Sequence, residues 1–411
     1  MKHTIMKILT VWFIVTQSLP FYFYFVPMGS LFTIAVFVGI VLLLFPNLFA
    51  KKSMIALLSY CFVLFFLFLL GNEELSTINS VVVPFFNMAC GLLMIEYALL
   101  YDKDYKYCRL AVITMFVTNI IMIIITTPAL IIDPNIVRGA SITSTDREEF
   151  VSDLYYWIIN YPTIHGLPCL LAPLCFLVRK SFKNNKLRFI LTSVTLLSFC
   201  YIIFAANATT ALFLSLVALL LTFLFSFEVY TPKNVLKVFL VFALALIFTR
   251  PFFLLPVIDL AKSSMTVGSS NYKKMDDIQT TIAYGDSSGD VGKREELYDQ
   301  SKQLFFESPL FGTTRPEKIG HHSFFWDRLA LLGLVFVIPL ILLLVFHIRK
   351  IYGCLIHTKV VYSFGVVIVL GMLYIKNDFG TGTWLYFLGY LPLLCRYIDA
   401  CVDNKYQQEQ I

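Results

Sequence analysis

Apolar runs about as long as a bilayer is thick alternate with short polar connectors along most of this chain. A helix needs about 20 apolar residues to cross a hydrocarbon core, where only helices and closed barrels satisfy their own backbone. The pattern predicts about twelve helical spans. They fall at 8–26, 30–49, 54–71, 81–100, 110–131, 155–178, 189–205, 208–227, 236–254, 323–346, 360–375 and 383–400. The expected fold class is all-α, a polytopic integral membrane protein. Residues 1–249 carry the first nine spans and an outer loop at 132–154. Residues 250–322 form one long extracytoplasmic loop, and residues 323–411 carry the last three spans and a tail.

The long loop divides by pattern. Gly268-Ser269-Ser270-Asn271 and Tyr284-Gly285-Asp286-Ser287-Ser288-Gly289 read as turns or coil. From Lys293 to Glu307, Leu297, Leu304 and Phe305 recur at helical spacing, and Pro309 stops the pattern. This segment is expected to be an amphipathic helix lying on the membrane or over a cavity.

Composition strengthens the membrane reading. The chain is 58% hydrophobic and 14% charged, with a mean hydropathy of +0.78. Soluble proteins carry about 25% charged residues. The net charge of +6 has no basic tail or dense basic patch behind it, which excludes nucleic acid as a partner. Lys and Arg cluster in alternate loops, at Lys51-Lys52, Lys103 to Arg109, Arg179 to Arg188, Lys233 to Lys237 and Arg349-Lys350. The positive-inside rule makes these loops cytoplasmic and places both termini there. The loop at 72–80, with Glu73 and Glu74 and no base, then faces outward. Trp157, Trp326 and Trp384 fall at outer span ends, as an interfacial aromatic belt would. The N-terminal run has no small-residue cleavage site and is read as a retained first span. The nine cysteines all fall in spans or cytoplasmic loops, with no CxxC spacing, and read as packing residues.

Candidate chemistry concentrates outside the spans. No span carries a charge near its midplane, contrary to what a proton-coupled pump requires. Arg138 sits just beyond a span, and Arg294 opens the amphipathic helix. Each is either a solvated surface arginine or a bidentate clamp for phosphate oxygens. His321 and His322 stand where the loop re-enters the membrane. Adjacent histidines without an HExxH pattern or a carboxylate cluster are a poor metal site. One of them is a candidate general base or phosphate donor. Asp327 follows near an outer span end, and Asn207 to Thr210 form a tight outer turn that reads as a helix cap or part of the same cavity. Arg250, Arg315, Asn207 and Thr209 complete the substrate-binding candidates, with no metal and no cofactor expected.

Three segments carry a resemblance. Lys293-Arg294-Glu295-Glu296-Leu297-Tyr298 comes first, then Phe306-Glu307-Ser308-Pro309-Leu310-Phe311-Gly312. Ile319-Gly320-His321-His322-Ser323 follows, with Asp327 and Leu329-Ala330-Leu331-Leu332-Gly333-Leu334. Together they resemble the C-terminal region of the Wzy-type O-antigen and capsular repeat-unit polymerases, and the related O-antigen ligases share much of the pattern. Pro134 to Arg138 resembles an outer-loop motif of the same proteins. At Asn207 to Thr210, many members have a Ser-Arg pair that this chain lacks.

The resemblance implies a GT-C-like, metal-independent glycosyltransferase of the bacterial inner membrane. Its donor would be an oligosaccharide on undecaprenyl diphosphate, presented at the outer face. Arg138 and Arg294 would clamp the diphosphate, and His322 would orient or deprotonate the attacking hydroxyl. Asp327 would support His322, with His321 as its alternate. Membrane lipids, a chain-length regulator and a flippase are the implied partners. Two other readings stay open. One is an O-antigen ligase that passes polymer to lipid A-core. The other is a lipid-linked sugar flippase, which predicts polar spans and short outer loops.

Overall fold

The computed structural model describes residues 1–19, 29–70, 75–132, 136–138, 158–159, 161–182, 185–206, 208–224, 251–263, 267, 270–284, 289–315, 318–375 and 381–408. Every regular element among them is helical. The helices are α1 (Lys2–Ser18), α2 (Gly29–Leu44), α3 (Lys52–Leu70), α4 (Leu75–Tyr101), α5 (Lys106–Ile132), α6 (Tyr161–Gly166), α7 (Pro168–Phe182), α8 (Lys186–Ala205) and α9 (Thr209–Leu224). After these come α10 (Pro251–Ser263), α11 (Ser270–Tyr284), α12 (Gly289–Glu307), α13 (Phe324–Cys354) and α14 (Lys359–Ile375). The chain then closes with α15 (Thr381–Leu385), a π-helical turn (Tyr386–Tyr390) and α16 (Leu391–Gln408).

Among the described residues, four helical runs are long and apolar enough to cross a membrane: Lys106–Ile132, Lys186–Ala205, Phe324–Cys354 and Gly382–Asp403. Shorter apolar helices stand at Phe32–Leu44, Lys52–Phe66, Phe85–Tyr101, Thr210–Phe223 and Lys359–Ile375. Their outward faces are as apolar as their inward ones. Phe62 is 67% exposed, Leu197 68% and Phe223 88%. A surface of this kind is stable against lipid and not against water.

The helices begin where side chains satisfy their free N–H groups. Asp102 accepts from Tyr107 N at 3.0 Å and Cys108 N at 2.9 Å, starting α5. Asn185 accepts from Arg188 N at 2.9 Å, starting α8. Asp399 of α16 accepts from Ile356 N, His357 N and the Thr358 hydroxyl, which fixes the tight link between α13 and α14. At the same end of the bundle Lys350 pairs with the buried Glu96, which also accepts from Ser53 at 3.1 Å. The core is one cluster, with α7 packed against α8, α9 and α14, and α13 packed against α3.

The structure differs from the sequence pattern in four places. Residues 270–284, whose two ends (Ser270-Asn271 and Tyr284) fall in the stretches expected as turn or coil, form α11. Its partners are polar, so apolar periodicity does not reveal it. Lys262 of α10 donates to Asp276 at 2.6 Å and to Gln279 at 2.5 Å, and Gln279 donates to Asp259 at 2.7 Å. The span expected at 155–178 is broken between α6 and α7 at Leu167, because Pro168 has no N–H to continue the ladder. The last span carries the π-helical turn at Tyr386–Tyr390. Trp384, expected in an interfacial belt, is 0% exposed. It packs edge-on against Phe324, with ring centres 5.6 Å apart. The span expected at 236–254 lies outside the described residues up to 250, and α10 begins at Pro251.

Candidate functional site

The helix expected over Lys293–Glu307 is present as α12, one turn longer at its start. On it Arg294, Tyr298 and Ser301 are four and three residues apart, which places them on one face. α12 packs on α13, and the Arg294 face meets the turn that leads into α13.

That turn, residues 318–323, is fixed by a chain of buried hydrogen bonds. The Ser301 hydroxyl donates to Asp327 Oδ1 at 2.6 Å and accepts from Gly320 N at 2.9 Å. Asp327 Oδ2 accepts from Ser323 N at 3.1 Å. Ser301 and Ser323 are 0% exposed and Asp327 1%. Gln300 adds a bond to the Lys318 carbonyl at 2.7 Å. Gly320 is required at its position, since a Cβ there would lie 2.0 Å from the Leu297 carbonyl oxygen. Two further bonds tie this unit to α14. The Tyr298 hydroxyl donates to Ile375 O at 2.6 Å, and the Ser323 hydroxyl donates to Tyr374 O at 2.7 Å. Both carbonyls belong to the last turn of α14, where no helical N–H remains to pair with them.

The histidines project from this fixed turn. His321 is exposed, and its φ of +53° holds it in the left-handed region. His322 is half-buried, its ring 5.6 Å from that of Tyr298. Burial raises the Tyr298 phenol above its ordinary pKa, and the Arg294 charge partly offsets this. The phenol therefore stays protonated at neutral pH and keeps donating to Ile375. Arg294 and His322 both act on Tyr298, one electrostatically and one by ring contact.

A second device places the Ser308–Gly312 turn. α13 is interrupted at Gly333, whose φ is +63°. Residues 309–314 lie along the break. Thr313 N and Thr314 N donate to the Ala330 and Leu331 carbonyls at 2.8 and 3.1 Å. Leu334 N and Val335 N donate to the Pro309 and Leu310 carbonyls at 2.8 and 3.0 Å. These bonds supply partners for backbone groups that the helix cannot pair internally. Gly312, at φ +69°, faces Gly333 so closely that a Cβ on either would lie about 2.4–2.5 Å from the opposing backbone.

The structure places His321, His322 and Asp327 at one turn, and puts Arg294 one helical turn before Tyr298 on the α12 face that packs there. Arg315 is exposed at the edge of the same unit. Arg138 ends a short 3-10 turn, Ile136–Arg138, whose Ile136 and Val137 are buried, and its side chain lies outside the described residues. Arg250, Asn207 and the side chain of Thr209 also lie outside them. Among the described residues no group of three His, Cys, Asp or Glu side chains is placed to hold a metal ion.

Ser301 and Tyr298 are the site residues that sequence reasoning does not assign. Their spacing from Arg294 is a usable signal only once α12 is known to turn that face to residues 318–323. The arrangement presents a cation, an imidazole and a phenol beside a buried carboxylate at one end of the bundle. Such a set can bind an anionic group and accept a proton. No family model matches this chain, and no curated protein sequence matches it.

Proposed function

We propose that this protein polymerises lipid-linked oligosaccharide repeat units into O-antigen or capsular polysaccharide at the outer face of the bacterial inner membrane. In this reading the acceptor hydroxyl attacks the anomeric carbon of the donor. The bond from that carbon to the diphosphate oxygen breaks, the hydroxyl proton passes to His322, and undecaprenyl diphosphate leaves with the electron pair. Arg294, with Arg138 completing the site, offsets the charge that develops on the leaving group. Asp327 is a positioning residue, because it holds the turn that presents His322. Both termini and the basic loops lie in the cytoplasm in this orientation, and α10–α12 cover the site. A flippase and a chain-length regulator are the expected partners.

The single observation behind this reading is that the three segments resembling the polymerases, which follow one another within residues 293–334, also interlock. Tyr298 and Ser301, on the α12 face that also carries Arg294, brace the Gly320–Ser323 turn, and the Ser308–Gly312 turn closes the break at Gly333. Motifs that share one reaction are expected to share one site.

A deletion strain with plasmid-borne variants tests it. Deletion should leave a surface carrying a single repeat unit on each core. Arg294→Ala and His322→Ala, expressed at normal level, should fail to restore long chains. Long chains from both variants would refute the site. Polymer retained on the carrier would instead identify a ligase, and repeat units trapped inside would identify a flippase.

A further inference from the structure

α12 and the start of α13 run side by side in the same direction. Ser301 bonds to Asp327, the Phe305 ring lies 6.3 Å from that of Trp326, and the Pro309 and Leu310 carbonyls accept from Leu334 N and Val335 N. The chain then reverses, because Thr313 and Thr314 donate back to the Ala330 and Leu331 carbonyls. Polarity changes along this descent. The upper part of α12 exposes Lys293, Glu295, Glu296, Asp299 and Gln303. The tip instead exposes Phe306 (69%), Leu310 (54%) and Phe311 (56%). Glu307, the one charged residue of 306–312, accepts from Gln303 Nε2 at 3.0 Å, one turn back toward the polar part.

Three observations say what covers this tip. First, it continues the outward face of a helix apolar enough to cross a membrane. The Phe311 ring lies 5.9 Å from that of Phe336, and Leu334, Val335 and Ile338 are exposed beside it. Secondly, depth along α13 fits. Phe325 and Tyr374 are both exposed, with ring centres 6.4 Å apart, as side chains of an interfacial aromatic belt are. Gly333 lies about 12 Å further along α13 at 1.5 Å per residue. The interfacial layer of one leaflet is only about 6 Å thick. Thirdly, the backbone is prepared for a medium without water. The carbonyls of Ser308, Pro309, Leu310 and Gly312 are each taken up within the protein, by Gly312 N, Leu334 N, Val335 N and the Ser308 hydroxyl. A turn in water has no need of such partners, whereas a turn at membrane depth requires them.

We infer that the tip formed by Phe306, Leu310 and Phe311 inserts into the acyl layer of the leaflet nearest the candidate site. The partner is the bilayer itself. α12 therefore stands on the membrane by its C-terminal end and does not lie along it, and its charged part projects into water. This insertion does not depend on the glycosyl transfer proposed above. It gives the break at Gly333 a reason, since the helix gives up its own hydrogen bonds there to supply those of the inserted turn. It also anchors α12, the helix whose other contacts brace the turn that carries His322.

The test uses the full chain reconstituted in phosphatidylcholine vesicles, with and without bromine on the acyl chains. Phe311→Trp places a fluorescent reporter at the tip, and Glu296→Trp places one on the polar part of α12. Emission of the unmodified protein is subtracted from each. The added Phe311→Trp emission should be shifted to the blue and lost in brominated vesicles, while iodide in the water leaves it unchanged. Glu296→Trp should show the reverse. Phe306→Trp, read in the same way, supplies a second reporter if Phe311→Trp does not fold. Tip emission quenched by iodide and not by bromine would overturn the proposal. So would tip emission that neither quencher reaches, which would mean that protein, such as a second copy of this chain, covers the tip in place of lipid.

Discussion

The polar segment between the apolar helices holds two sub-structures that use similar bonds to different effect. The α10–α11 hairpin is closed by Lys262, Asp276, Gln279 and Asp259. Water reaches this set through Asp276, which is 57% exposed, while the Lys262 side chain is 14% exposed. The α12–α13 junction is closed by Ser301, Asp327, Ser323 and Gly320, and its two serines and its carboxylate are almost wholly buried. A bond lost in the hairpin is replaced by water. A bond lost in the junction leaves a donor or acceptor with no partner. The hairpin is therefore the part that tolerates change, and the junction is the rigid seat of the histidines.

Three substitutions sharpen this contrast. Gly320→Val is expected to be the most damaging, because its side chain would overlap the Leu297 carbonyl. A loss of about 3 kcal/mol or more is expected for a clash that backbone must absorb. It should appear as a large fall in thermal stability in detergent, and an unchanged transition would show that the α12 contact is absent. Ser301→Ala removes the group that links Gly320 N to Asp327. A cost of about 1–3 kcal/mol is expected for the buried partners left unsatisfied. The same variant should increase proteolysis at residues 318–323. Lys262→Ala should shift the thermal transition less than Ser301→Ala, since Asp276 is 57% exposed and water can replace the lost bond. If the last two variants shift the transition equally, the distinction between hairpin and seat is wrong.

Legibility followed the kind of contact. Apolar helices such as α5 and α13 are plain in the sequence because lipid and core both require apolar length. α12 is plain because Leu297, Leu304 and Phe305 recur at helical spacing, Leu304 and Phe305 pack against the core, and Pro309 follows its end. α11 is not, because a helix stabilised by Lys262, Asp276 and Gln279 has no apolar stripe to read. The candidate site was half legible. Arg294, His321, His322 and Asp327 stand out as charged or titratable groups in an apolar chain. Ser301 and Tyr298 do not, since a serine and a tyrosine on an exposed-looking helix have many ordinary uses.

Trp384 shows the limit from the other side. Its position near a span end fits an interfacial belt, yet it is enclosed between Phe324 and Phe387. One-dimensional hydropathy places a residue along the membrane normal but not around the helix axis.

By itself, then, the sequence determined the all-helical class, the membrane-compatible helices and the segment in which polar chemistry gathers. Each follows from local composition, because apolar length and helix punctuation act over one or two turns. Only the tertiary structure decided which polar groups meet. Ser301 pairs with Asp327 across 26 residues, and Tyr298 reaches Ile375 across 77. Gly333 opens its helix only because residues 309–314 are present to close the gap. The physical reason is common to all three. A buried polar group requires a partner, but the local chain does not specify which distant group will supply it.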